Sequence, residues 1–252
     1  MIKLLLARLQ QKHRTISFPK GTPVLPERFR GRPVIDSAKC AAGCKLCVDS
    51  CPTGAIKKEN SALSIDLGRC LFCAQCEECC SCGAIKFSGE YRLAARAKAD
   101  LILNGQEMKL AQVLDKRMKK IFGRSLKLRQ VSAGGCNACE ADTNVLTTVV
   151  YDLGRFGIQF VASPRHADGL LITGPVTENM KLALEKTYDA VPDPKITIAV
   201  GACAISGGPY IDLPRVNNGV DKIVPVDLYI PGCPPHPLTI LDGLLRLLGK
   251  IK

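Results

Sequence analysis

Two cysteine-rich segments of the chain are copies of each other. Residues 44–57, CKLCVDSCPTGAIK, align with residues 73–86, CAQCEECCSCGAIK, at an offset of 29, and Gly-Ala-Ile-Lys ends both. Upstream the offset becomes 30, so that Cys40 aligns with Cys70. The first copy therefore holds one extra residue in the loop between Cys40 and Cys44, and four cysteines recur in each copy.

The alignment separates the recurring cysteines from two extra ones. Cys79 aligns with Ser50, and Cys82 aligns with Thr53. Since the first copy has no thiol at either position, we expect neither Cys79 nor Cys82 to be a ligand.

The recurring cysteines have the spacing of iron–sulfur ligands. The first copy reads C-x3-C-x2-C-x3-C-P and the second reads C-x2-C-x2-C-x3-C. Closely spaced thiolates of this kind bind [4Fe–4S] clusters, and in this pattern the fourth cysteine of each run serves the other cluster. The predicted ligands are Cys40, Cys44, Cys47 and Cys80 for one cluster, and Cys70, Cys73, Cys76 and Cys51 for the other.

Zinc is the alternative occupant, because C-x2-C pairs also form zinc knuckles. Zinc sites use two such pairs separated by a finger or ribbon, whereas here each copy crowds three cysteines together and adds a fourth nearby. Residues 34–90 resemble the bacterial two-cluster ferredoxin family, and this resemblance implies its α+β fold. Two features differ from the family pattern: the extra residue in the first loop, and Ser81 where the pattern has proline.

The second half of the chain has the pattern of an α/β domain. Apolar runs alternate with helical or loop stretches from residue 127 onward, which is typical of a parallel, doubly wound sheet of the flavodoxin-like class. We predict strands at 158–162, 169–173, 195–200 and 223–230, and helices at about 138–153 and at 237–249.

Four more cysteines lie in glycine- or proline-rich loops of this half. Cys136 and Cys139 lie in GGCNACE ahead of a predicted helix, Cys203 lies in GACAISGG after one strand, and Cys233 lies in PGCPPHP after another. Ligands gather beyond the carboxyl ends of parallel strands, and glycine lets the backbone approach sulfur closely. These four thiols predict a third cluster site; the alternative is a set of buried structural cysteines.

These loops resemble a known family. GGCNACE, GACAISGG and PGCPPHP, with the preceding IFGRSLKLRQ, are similar to the small subunit shared by membrane-bound group 4 [NiFe]-hydrogenases, formate hydrogenlyase included, and respiratory complex I. The likeness covers about residues 121–249. The ferredoxin part, with its lead-in RTISFPKGTPVLPERFRGRPVID, resembles the separate two-cluster subunit of those complexes. The chain is thus expected to be a fusion of two subunits.

The spacing of the first two ligands separates two branches of this family. The complex I subunit has adjacent cysteines there, whereas the hydrogenase branch separates them by two residues. Cys136 and Cys139 therefore favour the hydrogenase branch, with Ala138 where that branch usually has glycine.

The resemblance implies an electron-transfer subunit with three [4Fe–4S] clusters. Its expected partners are a nickel-bearing large subunit with the catalytic site, membrane-arm subunits, and formate dehydrogenase, reduced ferredoxin or carbon monoxide dehydrogenase as donor. Two alternatives remain open: the same role in a quinone-reducing or hydrogen-inactive relative of complex I, and a free-standing ferredoxin or cluster scaffold.

Charge and hydropathy limit the location and the partners. The net charge of +12 could suggest nucleic acid, but aromatic residues make up only 5%, and three oxidised clusters at about −2 each would reduce the charge to roughly +6. No segment approaches the roughly 18 to 20 apolar residues of a membrane span. The opening MIKLLLARLQQKHRT lacks the features of a signal peptide. We expect a peripheral protein on the cytoplasmic side of the cell membrane, with no nucleic-acid partner.

We predict four segments. Residues 1–33 form an amphipathic and extended docking segment whose apolar start packs on a membrane subunit or at the bilayer edge. Residues 34–90 form the ferredoxin domain. Residues 91–126 form a helical linker, either solvated or lying on a membrane surface. Residues 127–252 form the domain of the third cluster.

Two further residues have candidate roles. Glu140 follows Cys139 and is a possible proton relay toward the partner's site, or else a carboxylate that caps the first helical turn. His236 either tunes or protonates a group near the third cluster, or is an exposed loop residue between prolines. His13 and His166 have no motif or group of candidate site residues around them in the sequence.

Overall fold

The computed structural model describes residues 2–41, 43–59 and 62–251. The first half contains short elements: α1 (Ile2–Gln11), β1 (Pro33–Ile35), α2 (Leu46–Asp49), β2 (Ile56–Glu59), β3 (Ala62–Asp66), α3 (Gln75–Glu78), β4 (Ile85–Phe87), β5 (Ile102–Leu103) and α4 (Lys116–Phe122). No residue of α1 is buried, and its leucines are at least half exposed. None of the described helices has the length and apolar character needed to cross a membrane.

The two copies of the cysteine repeat exchange strands. The leading strand of the first copy, β1, pairs antiparallel with the trailing strand of the second copy, β4. The leading strand of the second copy, β3, pairs in the same way with the trailing strand of the first, β2. The registers are equivalent, because Val34 faces Lys86 in one pair and Ser64 faces Lys57 in the other. Because of this exchange, the end of each copy lies beside the start of the other copy.

The second half is an α/β domain. Its elements are β6 (Leu126–Ser132), α5 (Ala138–Val145), β7 (Ile158–Phe160), β8 (Gly169–Thr173), α6 (Glu178–Asp189), β9 (Ile196–Val200), α7 (Ala202–Ser206), β10 (Leu228–Ile230) and α8 (Pro237–Leu247). The five strands form one parallel sheet in the order β7-β6-β8-β9-β10. This is the strand order of flavodoxin-like folds, as the alternating pattern predicted.

Several predicted boundaries in this half were wrong. The helix expected over 138–153 ends at Val145, and the strand expected over 223–230 is only β10. The interior strand β6 was not predicted from the apolar runs. Its residues Leu126, Leu128 and Val131 are buried, but charged and polar residues alternate with them. The strands β8 and β9 are buried at every residue and are the continuous apolar runs that a sequence reveals most easily.

The linker prediction was wrong over most of its length. Of residues 91–126, only α4 is α-helical; a short 3₁₀ turn at Lys98–Leu101 and the strand β5 precede it. Ala95 exchanges two backbone hydrogen bonds with Tyr229, of 2.9 and 3.0 Å, and so extends the edge of the sheet. Leu93, Leu101 and Met108 of this segment are buried in a core cluster that contains residues of both halves, whereas Ile102 and Val113 are exposed.

The core does not stop at the boundary between the halves. Leu63, Ile65 and Leu67 of the cysteine-rich half belong to the same buried cluster as Leu170 and Ile172 of the sheet. Packing of this kind holds the two halves in a defined arrangement.

Candidate metal centres

One group of thiols combines cysteines from both copies of the repeat. Cys51 of the first copy lines a cavity together with Cys70, Cys73 and Cys76 of the second. Burial raises the pKa of Cys70 to about 12, and the neighbouring thiols of Cys76, Cys51 and Cys73 act in the same direction. The exchange of strands between the copies explains why Cys51 lies with the other run.

The other group of this half lies around Cys47; numbered in chain order, this is the first group, and the group of Cys51, Cys70, Cys73 and Cys76 is the second. Burial raises the pKa of this thiol, with further contributions from Cys79, Cys40 and Cys80. Cys80 again comes from the other copy. The Lys58 ammonium lies 3.2 Å from the Cys40 sulfur and 2.9 Å from the carbonyl oxygen of Cys44, which places the loop of the fourth predicted ligand beside this group.

Backbone N–H groups point at the sulfurs of both groups. Ala55 donates to Cys51 and Ala84 donates to Cys80, each at 3.2 Å, in equivalent positions of the two copies. The Phe72 N–H donates to the Cys70 sulfur at 3.3 Å. Such hydrogen bonds favour the thiolate form and are one of the means by which a protein tunes an iron–sulfur cluster.

The two extra cysteines lie close to the predicted ligands. The Cys79 sulfur is 3.3 Å from the hydroxyl of Ser50, the residue with which it aligns in the repeat. The sulfur of exposed Cys82 is 3.5 Å from that of Cys80, and this contact lowers the pKa of Cys82. The distance of a thiol from a predicted ligand therefore does not tell whether that thiol is itself a ligand. The alignment of the two copies makes this distinction.

The third group lies at the carboxyl edge of the parallel sheet. Cys136 and Cys139 follow β6, Cys203 follows β9 within α7, and Cys233 follows β10. Burial raises the pKa of Cys203 to about 12, with contributions from Cys233 and Cys136. The pKa of Cys139 is raised for the same reason, with Cys203 as its largest neighbouring influence. All four predicted side chains therefore meet at the carboxyl edge of the sheet.

Two glycines make room for the sulfurs of this group. A Cβ atom added to Gly201 would lie 2.6 Å from the Cys139 sulfur, and one added to Gly208 would lie 2.8 Å from the Cys203 sulfur. Both glycines have a positive φ, of +89° and +55°. The backbone thus closes around the thiols at a distance that only glycine permits.

The donor set of each group suits an iron–sulfur cluster. Each consists of thiols alone, with backbone N–H donors or glycine at the sulfurs, as thiolate-bound clusters require. In the part of the chain that the structure describes, no three metal-binding side chains converge closely enough for a single ion.

The second and third groups approach each other across the junction of the two halves. Cys233 has its pKa raised by burial and by two neighbouring thiols, Cys136 of its own group and Cys73 of the other. Arg30 from the N-terminal segment donates to the Cys73 carbonyl oxygen at 3.3 Å. A cleft beside these residues is lined by Phe72, Cys233 and His236.

Glu140 is buried beside the third group and does not cap its helix. Its carboxylate accepts hydrogen bonds of 2.6 Å from the hydroxyls of Ser132 and Thr173, and α5 has no side-chain cap at its first residue. Ser132 and Thr173 are register partners at the ends of β6 and β8. Sequence reasoning missed both hydroxyls; their position at the ends of neighbouring parallel strands was the available signal.

His236 has a structural role that its sequence context did not predict. It is half-buried rather than exposed, its Nδ1 atom accepts the Leu238 N–H at 3.2 Å as the N-cap of α8, and its ring packs edge-on against Phe29. Burial lowers the pKa of His236, which favours the neutral ring that accepts this hydrogen bond.

Comparison with known proteins places the second half in a described family. The family profile "NADH ubiquinone oxidoreductase, 20 Kd subunit" matches residues 136–247. A probable membrane-bound hydrogenase subunit of Pyrococcus furiosus is 42% identical over 148 residues, which are 59% of this chain and 89% of that protein.

Two further relatives have different names. Formate hydrogenlyase subunit 7 of Escherichia coli is 49% identical over 54% of this chain and 52% of its own length, so the chain spans about half of that relative. An NADH-quinone oxidoreductase subunit of Bacteroides thetaiotaomicron is 45% identical over 52% of this chain and 66% of its own length. A chain in the structure of the archaeal membrane-bound sulfane sulfur reductase is 37% identical, with a TM-score of 0.47, over 54% of this chain and 75% of that one.

Proposed function

Because the chain belongs to the family of the NADH ubiquinone oxidoreductase 20 Kd subunit and is a redox subunit of an oxidoreductase complex, we propose that it transfers electrons in a membrane-associated group 4 [NiFe]-hydrogenase of the formate hydrogenlyase type. Three [4Fe–4S] clusters, when bound, supply the one-electron carriers. The active site itself belongs to a partner large subunit that bears nickel.

Twelve thiols hold the three clusters. Eleven of these side chains lie in three groups, two of which combine cysteines from both copies of the repeat, and the backbone of Cys44 lies beside the first group through Lys58. The chain ligates the metal, donates backbone hydrogen bonds to sulfur and limits the access of water through burial. The ligand sets are Cys40, Cys44, Cys47 and Cys80; Cys51, Cys70, Cys73 and Cys76; and Cys136, Cys139, Cys203 and Cys233.

The arrangement of the groups supports a linear order of carriers. Cys73 influences Cys233 across the junction, which makes the Cys70 group the neighbour of the third group. The group around Cys47 shares strands with the Cys70 group and has no contact of this kind with Cys233 among the described residues. We therefore place the Cys47 group at the outer end of the path.

The ferredoxin-like segment is proposed to be fused to the small-subunit domain. The exchange of strands between the repeat copies and their N–H donors to sulfur support a two-cluster domain at residues 34–90. The remaining segments are the docking segment 1–33, the linker 91–126 and the third-cluster domain 127–252. The shared core explains why such a fusion holds its carriers at a constant separation.

The spacing of Cys136 and Cys139 supports the hydrogenase branch of the family. The second candidate is an electron-transfer subunit of a complex I-like quinone oxidoreductase, and the likeness to the NADH-quinone oxidoreductase relative favours it. In either case we propose a peripheral position on the cytoplasmic side of the membrane, against membrane-arm subunits. Formate dehydrogenase, ferredoxin or carbon monoxide dehydrogenase would be the donor in the hydrogenase.

Metal analysis of the complex that copurifies with this chain from its native membrane tests the proposal. We expect three iron–sulfur centres and about twelve irons in this chain, together with nickel and hydrogen-dependent dye reduction in the complex. Iron without nickel or hydrogen activity, in an intact complex, would favour the quinone candidate. Fewer than three centres in the fully assembled chain would contradict the three-cluster proposal.

A further inference from the structure

Lys58 faces the first cysteine group, that of Cys40, Cys44, Cys47 and Cys80, and the second copy of the repeat has a different residue at the aligned position. It lies on β2, two residues after buried Ile56, so the alternation of a strand puts both side chains on one face. Lys57 between them is exposed on the other face. In the second copy, Phe87 occupies the equivalent position on β4.

The Lys58 ammonium uses its whole donor capacity on the first cysteine loop. It donates to the Cys40 sulfur at 3.2 Å, to the Ala41 carbonyl oxygen at 3.0 Å and to the Cys44 carbonyl oxygen at 2.9 Å. A lysine has three N–H donors, so none remains for another partner. This loop is the one with the extra residue, and Lys58 holds both of its ends.

Within the part of the chain that the structure describes, no carboxylate forms an ion pair with Lys58. Among the ion pairs of residues 2–41, 43–59 and 62–251, none includes Lys58. Its side chain is half-buried, where water screens a charge less than on an open surface. The nearest sulfur therefore receives a hydrogen bond from a cation, which is stronger than one from a neutral donor.

The second cysteine group has no equivalent cation at this position. Phe87 lines the cavity of Cys51, Cys70, Cys73 and Cys76 and packs edge-on against Phe72 at 6.1 Å. Hydrogen bonds to sulfur, net charge and solvent exposure set the reduction potential of an iron–sulfur cluster. Arg30 lies at the Cys73 carbonyl oxygen, at 3.3 Å, but among the described residues no cation donates to a sulfur of the second group. A cation bonded to a sulfur of one group and none bonded to a sulfur of the other make the two potentials unequal.

We propose that Lys58 raises the reduction potential of the cluster held by Cys40, Cys44, Cys47 and Cys80, so that the first electron entering the ferredoxin-like pair resides there. This rests on the proposed function. The step adds one electron, from a reductant such as dithionite in the laboratory, to one cluster; no bond is formed or broken. The added negative charge is stabilised by the ammonium on Cys40.

Redox titration of the full-length chain within its copurified complex, followed by electron paramagnetic resonance, tests this role. The informative variant is Lys58→Gln, which keeps amide donors for the loop carbonyls but removes the charge. We expect one of the chain's three midpoint potentials to fall by about 59 mV, equivalent to a tenfold loss in the preference of the electron for that cluster. The other two potentials should stay unchanged. The Cys80→Ser variant identifies which signal belongs to the first group.

Two matched variants separate charge from structure. Lys57→Gln removes the same charge from the exposed face of the same strand and should leave all three potentials unchanged. Lys58→Arg keeps a cation and should retain a potential close to that of the original protein.

Three results would overturn the tuning role. An unchanged potential in Lys58→Gln at full iron content would do so, and so would an equal fall in Lys57→Gln. Loss of about four irons in Lys58→Gln with full retention in Lys58→Arg would make Lys58 a clamp for the loop instead. An original protein with fewer than three centres would count against the proposed function, and iron analysis of that protein distinguishes this case.

Discussion

The cysteine groups of the two halves are built in different ways. The two groups of the first half draw all their thiols from residues 40–80, and each is made by the exchange of one cysteine between neighbouring copies. The third group draws its thiols from residues 136–233, on three loops that only the parallel sheet brings together. Its glycines, Gly201 and Gly208, approach sulfur so closely that a single methyl group would collide.

The two kinds of site depend on different parts of the molecule. A site made from short spacings needs local loops and a few strand pairs, so it tolerates changes elsewhere. A site made at a sheet edge needs the order and register of β6, β9 and β10. We expect the third site to be the more sensitive to changes in packing, and the first two to be sensitive mainly to their own cysteines.

The largest effect is expected from Cys139→Ser. Cys139 is buried at the centre of the third group, and serine is a poor substitute for a thiolate ligand. Iron analysis should show a loss of about four irons of about twelve, and electron transfer to the partner should cease. The two signals of the first half should persist, since their ligands are separate. Loss of all three signals would show that the sites are not independent.

Cys80→Ser and Cys82→Ser test the exchange of ligands within the first half. The two thiols lie 3.5 Å apart, yet only Cys80 recurs in the repeat. Cys80→Ser should lose one cluster, whereas Cys82→Ser should keep all three, as measured by iron content and electron paramagnetic resonance. An equal fall in both variants would contradict the alignment.

The Glu140→Gln variant tests whether Glu140, beside the third group, transfers protons. Glu140 follows Cys139 as Glu77 follows Cys76, and Glu77 accepts the Phe87 N–H at 3.1 Å in the first half. Loss of a proton-transfer group typically lowers a rate by 10²- to 10⁴-fold, so we expect hydrogen turnover of the complex to fall by about 100-fold. Iron content should be retained.

Glu77→Gln is the matched control for Glu140→Gln, because it removes the equivalent carboxylate from the other half. It should leave hydrogen turnover within about twofold of the original value, far from the change of two or more powers of ten that loss of a proton relay causes. Equal losses in the two variants would argue for a general effect on the clusters rather than for a relay.

The smallest effect is expected from Gly201→Ala. The added Cβ would meet the Cys139 sulfur at 2.6 Å, and overpacking of this kind costs about 1–3 kcal/mol in the free energy of unfolding. Gly54→Ala is the control in the first half, since Gly54 also has a positive φ, of +57°, but no atom within 4 Å of an added Cβ. It should lose only about 1 kcal/mol, from backbone strain. Denaturant unfolding of both variants measures the difference, and equal losses would contradict the close approach at the third site.

Some features were predictable because short spacings encode them. The repeat predicted that Cys51 and Cys80 each join the other run, and the structure brings Cys51 to the cavity of Cys70. The strands β8 and β9 were predictable because both of their faces are buried, which leaves an unbroken apolar run.

The path of residues 91–115 was not predictable in this way. Its apolar residues are spaced much as in a helix. Several of them, such as Leu93 and Leu101, are instead buried in the core that the halves share, and Ala95 completes its hydrogen bonds on the edge of the sheet. Backbone hydrogen bonds to a distant strand leave no periodic pattern in the sequence of the segment itself. The spacing of the apolar residues was therefore the only pattern available, and it predicted a helix.

The recurrence of the thiols, their spacing and the parallel sheet that follows them can all be read from the order of the residues. Only the folded chain shows that β6 lies between β7 and β8, that Ser132 and Thr173 meet Glu140, and that Cys73 approaches Cys233. Spacing along the chain defines the contacts within one loop. Contacts between loops depend instead on strand order, on register and on the packing of one half against the other.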